Sequence, residues 1–522
     1  MNRTIVLAGG TVLDGTGETA TRADVLVRDG RIEAVGDLSA AVDADTVDVT
    51  GRVVAPGFID VHAHTDLTPM LSDEHQPTKV AGIRQGVTTE VCGNCGSSPF
   101  PVREFDPDDP YLGSLPPEMR RGFANLADYR AALGEQALVA NLAPLVGHGT
   151  LRTTVVGRED RPATPDELRE LQRRTDEAME QGAFGLSSGL IYAPGLFADT
   201  DELVALAEVA ARHGRPYTTH MRDEGDAVVA AVEEALTIGR RSGAGVQISH
   251  HKAIGRRNWG RSQDTLVMID RARESGVDVS VDVYPYTAGS TALAALLPPW
   301  VLAGGPDEAL AHLRDTAAIE RMRRDYEDGL PGWQNLVELA GWDNLVIAGG
   351  PPYAGRSLAE IAEDRGRHPL DVMVDRLLED PMTIVILHMM DANEVVSIGE
   401  ARFALVGSDG VPLPGMQHPR LAGTFARVLA RAEGDLDTLA WTVHRMTGMP
   451  AARFGVPDRG EVRRGYVADL VVFDPSSVQD NATYLDPLLP PSGVDHVLVG
   501  GRFVVRDGAL TAARPGAVLT PR

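Results

Sequence analysis

Histidines stand where the sequence predicts the ends of buried strands. His62 and His64 form a His-x-His pair after the apolar run GFIDV, His220 closes PYTTHM, and His250 closes GVQISHH. Asp409 follows the run FALVGS in the same way. Side chains two apart on a strand point to the same face, so His62 and His64 can share one ion. A single His-x-His pair is as often two polar residues at the end of a strand as it is a metal site. Four strand ends with metal-capable groups indicate a metal centre.

The two cysteines, Cys92 and Cys95, lie in VCGNCG after another predicted strand. A Cys-x-x-Cys pair can be half of a structural zinc site or a redox couple. A structural zinc site needs two more ligands, and the sequence has no second cysteine pair. A redox couple needs a thioredoxin-like setting, which is also absent. Zinc accepts mixed nitrogen and sulfur ligands, so one thiolate that completes a histidine site is the better interpretation. The spacing alone does not decide which cysteine supplies it.

These side chains need a scaffold that gathers strand ends. The middle of the chain alternates apolar runs with helical stretches such as PDELRELQRRTDEAMEQG. Eight strands that alternate with helices predict an α/β fold, a parallel (β/α)8 TIM-type barrel with its active site at the carboxyl ends of the strands. The predicted strands are GFIDVHAH, GVTTEV, LVANLAPLVG, GAFGLSSG, PYTTHM, GVQISHH, VDVSVDVY and FALVGSD.

The two ends of the chain have a different pattern. Both carry short alternating strands with tight Asp-Gly turns, and neither has enough strands for a stable sheet. Residues 1–57 and 459–522 are therefore predicted to form one small β-sandwich domain around a catalytic barrel at 58–458. Residues 287–350 are too long for one connection and predict an inserted lid or subdomain after strand 7. The apolar run 382–390 (MTIVILHMM) has no place in this scheme.

Charge and composition exclude some functions. The net charge of −25 repels phosphate backbones and anionic membranes, so neither nucleic acid nor a membrane is an expected partner. The first residues lack the apolar h-region typical of a signal peptide, no apolar stretch is long enough to span a bilayer, and only two cysteines occur. We expect a cytoplasmic protein, and the sequence leaves the formation of a homo-oligomer open.

The motifs, taken together, resemble one known family. GFIDVHAHTD is similar to the first-strand signature of the amidohydrolase superfamily. GNCG, THMRDEGD, ISHHK, DVYPYTAGST and GSDG followed by HPRLAGTFARVL resemble its D-aminoacylase (N-acyl-D-amino-acid deacylase) branch. The motifs extend from about residue 50 to 475, and the set in this order is specific. The resemblance implies a zinc-dependent hydrolase of linear amides with a small-molecule N-acylated amino acid as its substrate.

The resemblance also implies roles for the metal-capable residues. A tightly bound zinc is expected on Cys95, His220 and His250, with His62 and His64 beside a second, weaker metal position. Asp409 is the expected general base. Other amidohydrolases bridge two metals with a carboxylated lysine on the fourth strand, but GLSSGLIY has no lysine. The thiolate is then the anionic ligand.

A second group of residues is implied to hold the substrate. Lys252, Arg420 and Tyr284 are the expected clamp for its α-carboxylate, because arginine binds a carboxylate through two parallel hydrogen bonds. Ser290 and Tyr192 are expected in the same pocket. Without the motifs, an ordinary surface ion pair would be the better interpretation of Lys252 and Arg420.

The expected reaction is hydrolysis of an N-acyl-D-amino acid to a D-amino acid and a carboxylate. Two other hydrolases of the superfamily are alternatives, a dipeptidase for C-terminal D-residues and a cyclic amide hydrolase, although a carboxylate clamp favours a free carboxylate over a cyclic imide. A non-catalytic hydantoinase-like scaffold is a distant alternative, because such proteins typically lose the metal ligands. The side-chain and acyl preferences are not readable from the sequence.

Overall fold

A computed structural model describes residues 4–38, 44–102, 116–349, 352–413, 417–432 and 435–522. Its strands are β1 Thr4–Val12, β2 Thr21–Arg28, β3 Arg31–Gly36, β4 Asp45–Asp48, β5 Val53–Pro56, β6 Phe58–Asp60, β7 Val87–Cys92, β8 Asn141–Pro144, β9 Val146–Gly147, β10 Leu186–Gly189, β11 Tyr217–His220, β12 Val246–Ile248, β13 Val279–Val283, β14 Ala288–Ala292, β15 Leu345–Ala348, β16 Ile384–His388, β17 Ala404–Val406, β18 Leu470–Phe473, β19 Val494–Val499, β20 Arg502–Arg506 and β21 Ala509–Leu510.

The helices alternate with the strands through the middle of the chain. They are α1 Gln76–Lys79, α2 Ala81–Arg84, α3 Leu126–Gly134, α4 His148–Val155, α5 Pro165–Glu180, α6 Thr200–Arg212, α7 Val228–Ser242, α8 Arg261–Glu274, α9 Pro299–Leu302, α10 Pro306–Arg314, α11 Thr316–Asp328, α12 Leu336–Ala340, α13 Leu358–Arg365, α14 Pro369–Glu379, α15 Ala392–Glu400, α16 Arg420–Ala430, α17 Leu436–Met446 and α18 Gly448–Phe454. Among the residues described, none of these helices has both the length and the apolar character needed to cross a bilayer.

Parallel strands form the centre of the fold, which confirms the α/β class. β6, β7 and β8 pair in parallel, as do β9 to β13 and β17 in that order. Backbone bonds join the two groups: Leu145 N donates to Cys92 O at 2.8 Å, and Asp409 N donates to His62 O at 2.7 Å. The last strand thus meets the first, and the arrangement is consistent with the predicted barrel.

Helix α5 illustrates how the sequence sets an outer layer. Thr164 and Glu167 form a capping box that satisfies backbone N–H groups at its start. Leu171, Ala178 and Met179 recur at helical spacing and are buried, while the opposite face carries charged residues. The predicted helix is therefore present over the predicted segment.

Strands from both ends of the chain form one nine-stranded sheet. Its main order is β21-β20-β19-β18-β5-β1-β2-β3, with β4 paired to β1. Side chains alternate along β18: Leu470 and Val472 join one buried cluster, and Val471 and Phe473 join another that includes Phe58 at the barrel. One face of the terminal sheet therefore packs on the barrel.

A second small sheet follows β13. Its order is β14-β16-β15, with β16 antiparallel to both neighbours. β16 is the core of the apolar run 382–390, and its Val385, Ile386 and Leu387 are buried. The run that fitted no barrel position is thus the central strand of a separate sheet, which extends past the residue-350 boundary that the sequence suggested.

Candidate metal centre

The chemistry-bearing residues meet at one rim of the parallel strands. His62 follows β6, Cys95 follows β7, His220 ends β11, His250 follows β12, and Asp409 follows β17. All five are buried. Because parallel strands present their carboxyl ends on the same side, residues far apart in sequence converge here.

The loop that carries Cys95 is held by the fourth barrel strand, β10. The Ser187 hydroxyl accepts a hydrogen bond from Gly96 N at 3.1 Å and donates to Gly93 O. Gly96 has a φ of +76°, and a Cβ there would lie 2.7 Å from Gly189 N, so only glycine fits. The fourth strand thus supplies a small hydroxyl that fixes the cysteine loop.

Three imidazole nitrogens surround the Cys95 sulfur. Its Sγ lies 3.5 Å from His250 Nε2, 3.7 Å from His220 Nδ1 and 3.3 Å from His62 Nε2. A tetrahedral zinc with ordinary Zn–S and Zn–N bonds separates sulfur and nitrogen ligands by about 3.5 Å. Burial alone would raise the pKa of the Cys95 thiol, but His62 and bonds from His220 and His250 hold it well below its usual range. This donor set fits a zinc ion.

A second group of donors shares the same sulfur. His62, His64, Cys95 and Asp409 offer ligand atoms that all lie within 4.8 Å of one another. His64 Nε2 is 3.1 Å and His62 Nε2 is 3.5 Å from Asp409 Oδ1. Cys95 therefore belongs to both donor groups, whereas Asp409 belongs to the group of His62 and His64.

Glu224, which the sequence analysis did not single out, lies behind two of the histidines. Its carboxylate is 3.0 Å from His250 Nδ1 and 3.7 Å from His220 Nε2, the ring nitrogens that face away from Cys95. Burial raises the pKa of Glu224, but Lys252, His220 and His250 lower it far more. A carboxylate in this place attracts these two nitrogens and so favours ring orientations in which the opposite nitrogens face Cys95. Its position four residues after His220 in THMRDEGD was the available signal.

Asp282 performs the same task for His62. Its Oδ1 lies 3.3 Å from His62 Nδ1 and accepts a hydrogen bond from His250 N at 2.7 Å. Gln247 Nε2 donates to the other oxygen at 2.8 Å. The carboxylate at the end of β13 therefore orients two histidines from different strands.

We expect Glu224→Gln to weaken zinc binding by about 10- to 100-fold, because the neutral amide is a poorer partner for His250 and removes the negative charge beside His220. Zinc titration monitored by calorimetry measures the effect, and added zinc should restore part of the activity. Asp226→Asn, an exposed acid two residues away, is the matched control. Unchanged zinc affinity in Glu224→Gln would contradict this role.

Asp409 and Arg420 form a buried ion pair next to the histidines. Arg420 NH1 lies 2.7 Å from Asp409 Oδ2, and its NH2 donates to Ser290 O at 3.2 Å. The Arg420 side chain is 1% exposed, and its Nε has no hydrogen-bond acceptor among the described residues. The buried cation therefore keeps donors that an incoming anion can use.

The other predicted substrate residues surround this cation. Tyr284 lies under Arg420, with the guanidinium carbon 4.7 Å from the ring centroid. Lys252 Nζ is 2.6 Å from Glu224 and 2.8 Å from His250 Nδ1, so it is already paired. The rings of Tyr192 and His220 pack edge to face with 5.0 Å between their centroids, and the Tyr192 hydroxyl is 3.0 Å from Thr291 Oγ1.

His418 is a further residue that the sequence analysis missed. Its Nδ1 accepts a hydrogen bond from Arg420 N at 3.0 Å, and its Nε2 donates to Ala288 O at 2.9 Å. Burial and then Arg420 hold the pKa of His418 well below its usual value, so the ring is neutral. The histidine of HPR thus caps the helix that begins with Arg420, and it fixes the backbone position from which the Arg420 side chain extends.

Three residues of the site have left-handed backbone. Their φ angles are +52° for Cys95, +34° for His250 and +51° for Asp409. The other non-glycine residues with positive φ among those described are all aspartates, a type that tolerates this region. A cysteine and a histidine held in it are typical of functional sites, where surrounding contacts maintain the strain.

Several known proteins are similar to this chain in sequence and in fold. The model of the amidohydrolase family matches residues 45–324. D-aminoacylase of Alcaligenes xylosoxydans xylosoxydans is 40% identical over 99% of this chain and 97% of its own. N-acyl-D-glutamate deacylase of the same organism is also 40% identical, over 99% and 96%. The crystal structure of N-acyl-D-glutamate deacylase from Bordetella bronchiseptica, complexed with zinc and a phosphonate inhibitor, matches with a TM-score of 0.84 at 39% identity over 99% of both chains.

The family resemblance inferred from the motifs is confirmed by these matches. They span nearly the whole chain, including the strand-end residues. The chain belongs to the amidohydrolase family, in the branch that contains D-aminoacylase.

Proposed function

We propose that the protein is a zinc-dependent hydrolase that cleaves the amide bond of N-acyl-D-amino acids, giving a D-amino acid and a carboxylate. The observation that carries the proposal is the convergence of Cys95, His220 and His250 at ligand distances from one another, next to an aspartate paired with a buried arginine. The D-aminoacylase relatives and the zinc-bound structure support the same reaction.

Cys95, His220 and His250 would hold the tight zinc, and His62 and His64 would stand at a second, weaker position. When bound, zinc polarises the amide carbonyl and lowers the pKa of water from 15.7 to about 7. The chain's part is to supply one anionic and two neutral ligands and to orient the imidazoles through Glu224.

Asp409 is the proposed general base. Burial would raise its pKa, but Arg420, His250 and His64 lower it well below the usual value, so the carboxylate is ionised and ready to accept a proton from the attacking water. The same oxygen would return that proton to the leaving nitrogen. A substrate carboxylate that arrives at Arg420 shares the cation with Asp409, which makes Asp409 a stronger base in the complex.

Arg420 is the proposed main anchor for the substrate's α-carboxylate. Its open donors and its packing on Tyr284 support this role, and Ser290 and Tyr192 would complete the wall of the pocket. Lys252, already paired with Glu224, would add positive charge to the clamp. A free carboxylate at this point also favours a linear substrate over a cyclic amide.

We expect Arg420→Lys to raise KM by about 10- to 100-fold, because lysine lacks the planar fork that grips a carboxylate. Steady-state kinetics on an N-acetyl-D-amino acid provides the measurement. Arg427→Lys is a close control, since Arg427 lies on the same helix and stacks on Tyr286 as Arg420 stacks on Tyr284. Equal KM values for both variants would remove Arg420 from the clamp.

The function is tested with stereochemically paired N-acetyl amino acids, assayed before and after chelation and again after zinc is restored. We expect hydrolysis of D-isomers that disappears with chelator and returns with zinc. Hydrolysis of L-isomers alone, or full activity in a protein shown to be metal-free, would refute the proposal.

We also propose three structural units, with a terminal β-sandwich from residues 4–57 and 459–522 around the barrel and a subdomain inserted after β13. Ile32 of β3 and Phe503 of β20, at opposite ends of the terminal sheet, share one buried cluster, which supports a sheet folded back on itself. The β14-β16-β15 sheet supports an insert that extends to about residue 390.

A further inference from the structure

A cavity of about 420 Å³ leads to the proposed carboxylate anchor. Its lining includes the buried Arg420, the half-buried Ser290, Glu118 and Asp380, and the exposed Glu74. A cavity of this size accommodates an N-acyl-amino acid. Its lining therefore bears on which side chains the enzyme accepts.

The cations near the cavity already have partners. Arg420 is paired with Asp409, and its open donors are sufficient for one further carboxylate. Lys252 lies outside the cavity lining and contacts Glu224 at 2.6 Å. His418 uses both ring nitrogens, as acceptor from Arg420 N and donor to Ala288 O. Of the described lining residues, only His75 could add positive charge, and then only when protonated.

The remaining lining combines apolar and acidic groups. Ile384, Val411 and Leu413 offer aliphatic surface. Asp380 lies 4.0 Å from Arg376, but Arg376 also holds Glu379 at 2.5 Å, so this corner remains acidic. A second carboxylate on the substrate would lose water and meet like charge, and the described lining residues leave no further cation to compensate it.

We propose that this enzyme discriminates against N-acyl-D-amino acids whose side chain carries a second carboxylate. The inference rests on the proposed function and refines its substrate class. The inference gives this chain a substrate choice different from that of N-acyl-D-glutamate deacylase. Sequence identity does not distinguish the alternatives, because the chain is 40% identical to that enzyme and 40% identical to D-aminoacylase.

The deciding comparison is N-acetyl-D-glutamine against N-acetyl-D-glutamate, which differ in charge but hardly in size. At low ionic strength we expect kcat/KM to be at least about tenfold higher for the glutamine compound. Added salt should narrow the gap, because the acids nearest to solvent are screened. The double variant Glu118→Gln with Asp380→Asn should lower the ratio by about threefold or more. Asp507→Asn, in the terminal sheet, should leave the ratio unchanged.

Thermal melts establish that each variant is folded before the ratios are compared. Glutamate hydrolysis as fast as glutamine hydrolysis would overturn the selection while leaving the proposed function intact. If the double variant left the ratio of the two kcat/KM values unchanged, Glu118 and Asp380 would not be the cause of the selection. Inactivity toward both compounds and toward N-acetyl-D-methionine would refute the proposed function itself, and this inference with it.

Discussion

Asp409→Asn should keep its zinc and lose about 10²- to 10⁴-fold in kcat, the usual contribution of a general base. Asparagine has the same shape and tolerates the left-handed backbone at this position, so the fold and the ligand geometry are preserved. The amide cannot accept a proton from water. Metal analysis and steady-state kinetics on the same preparation separate the two effects.

Asp507→Asn is the appropriate comparison, because Asp507 also has a left-handed φ of +53° and lies far from the site in the terminal sheet. It should match the unmodified enzyme in both zinc content and rate. If Asp409→Asn retained a near-normal rate with full zinc, Asp409 would not be the base.

Cys95→Ser should lose zinc and, with it, nearly all activity. Serine is neutral at pH 7 and replaces a thiolate that three imidazoles face. Loss of a residue behind the ligands costs 10- to 100-fold in metal affinity, so loss of the anionic ligand itself should exceed about 100-fold. Competition with a chelator of known affinity measures the change.

Cys92→Ala is the control, because the two cysteines are three residues apart and both are buried. Cys92 lies in the apolar core with Phe100 and Tyr129, so its loss should reduce stability and leave zinc bound. One zinc per chain in Cys95→Ser, held as tightly as in Cys92→Ala, would exclude the thiolate from the centre.

Residues at strand ends were the part of the site that the sequence could predict. Each of His62, His220, His250 and Asp409 closes an apolar run, and in a parallel barrel that position alone implies convergence. The motif GNCG added Cys95. The structure places all of these residues together, while their individual roles remain proposals.

The residues that contact the histidines and Arg420 from behind were not predictable in the same way. Glu224 and His418 lie in loops beyond the strand ends, where spacing does not determine direction. Asp282 lies near the end of a strand but reads as one more polar residue in SVDVY. Their roles depend on which ring nitrogen they face, and only three-dimensional geometry supplies that information.

The fold shows a similar limit at β16. MTIVILHMM has the length and apolar character of a barrel strand. By composition alone it would be a ninth strand in a barrel that has eight. Its partners, β14 and β15, are about 95 and 40 residues earlier, and antiparallel pairing over such distances leaves no local signal. The α/β class followed from the repeating pattern; the separate sheet did not.

The left-handed backbone at Cys95 and His250 also bears on how the enzyme would respond to selection. Glycine would adopt these angles without strain, whereas each side chain now lowers folding stability by about 1–3 kcal/mol. Laboratory evolution for heat resistance in the presence of a chelator should therefore favour glycine at both codons and produce durable but inactive proteins. Screens for robust variants of this enzyme must include turnover at every round.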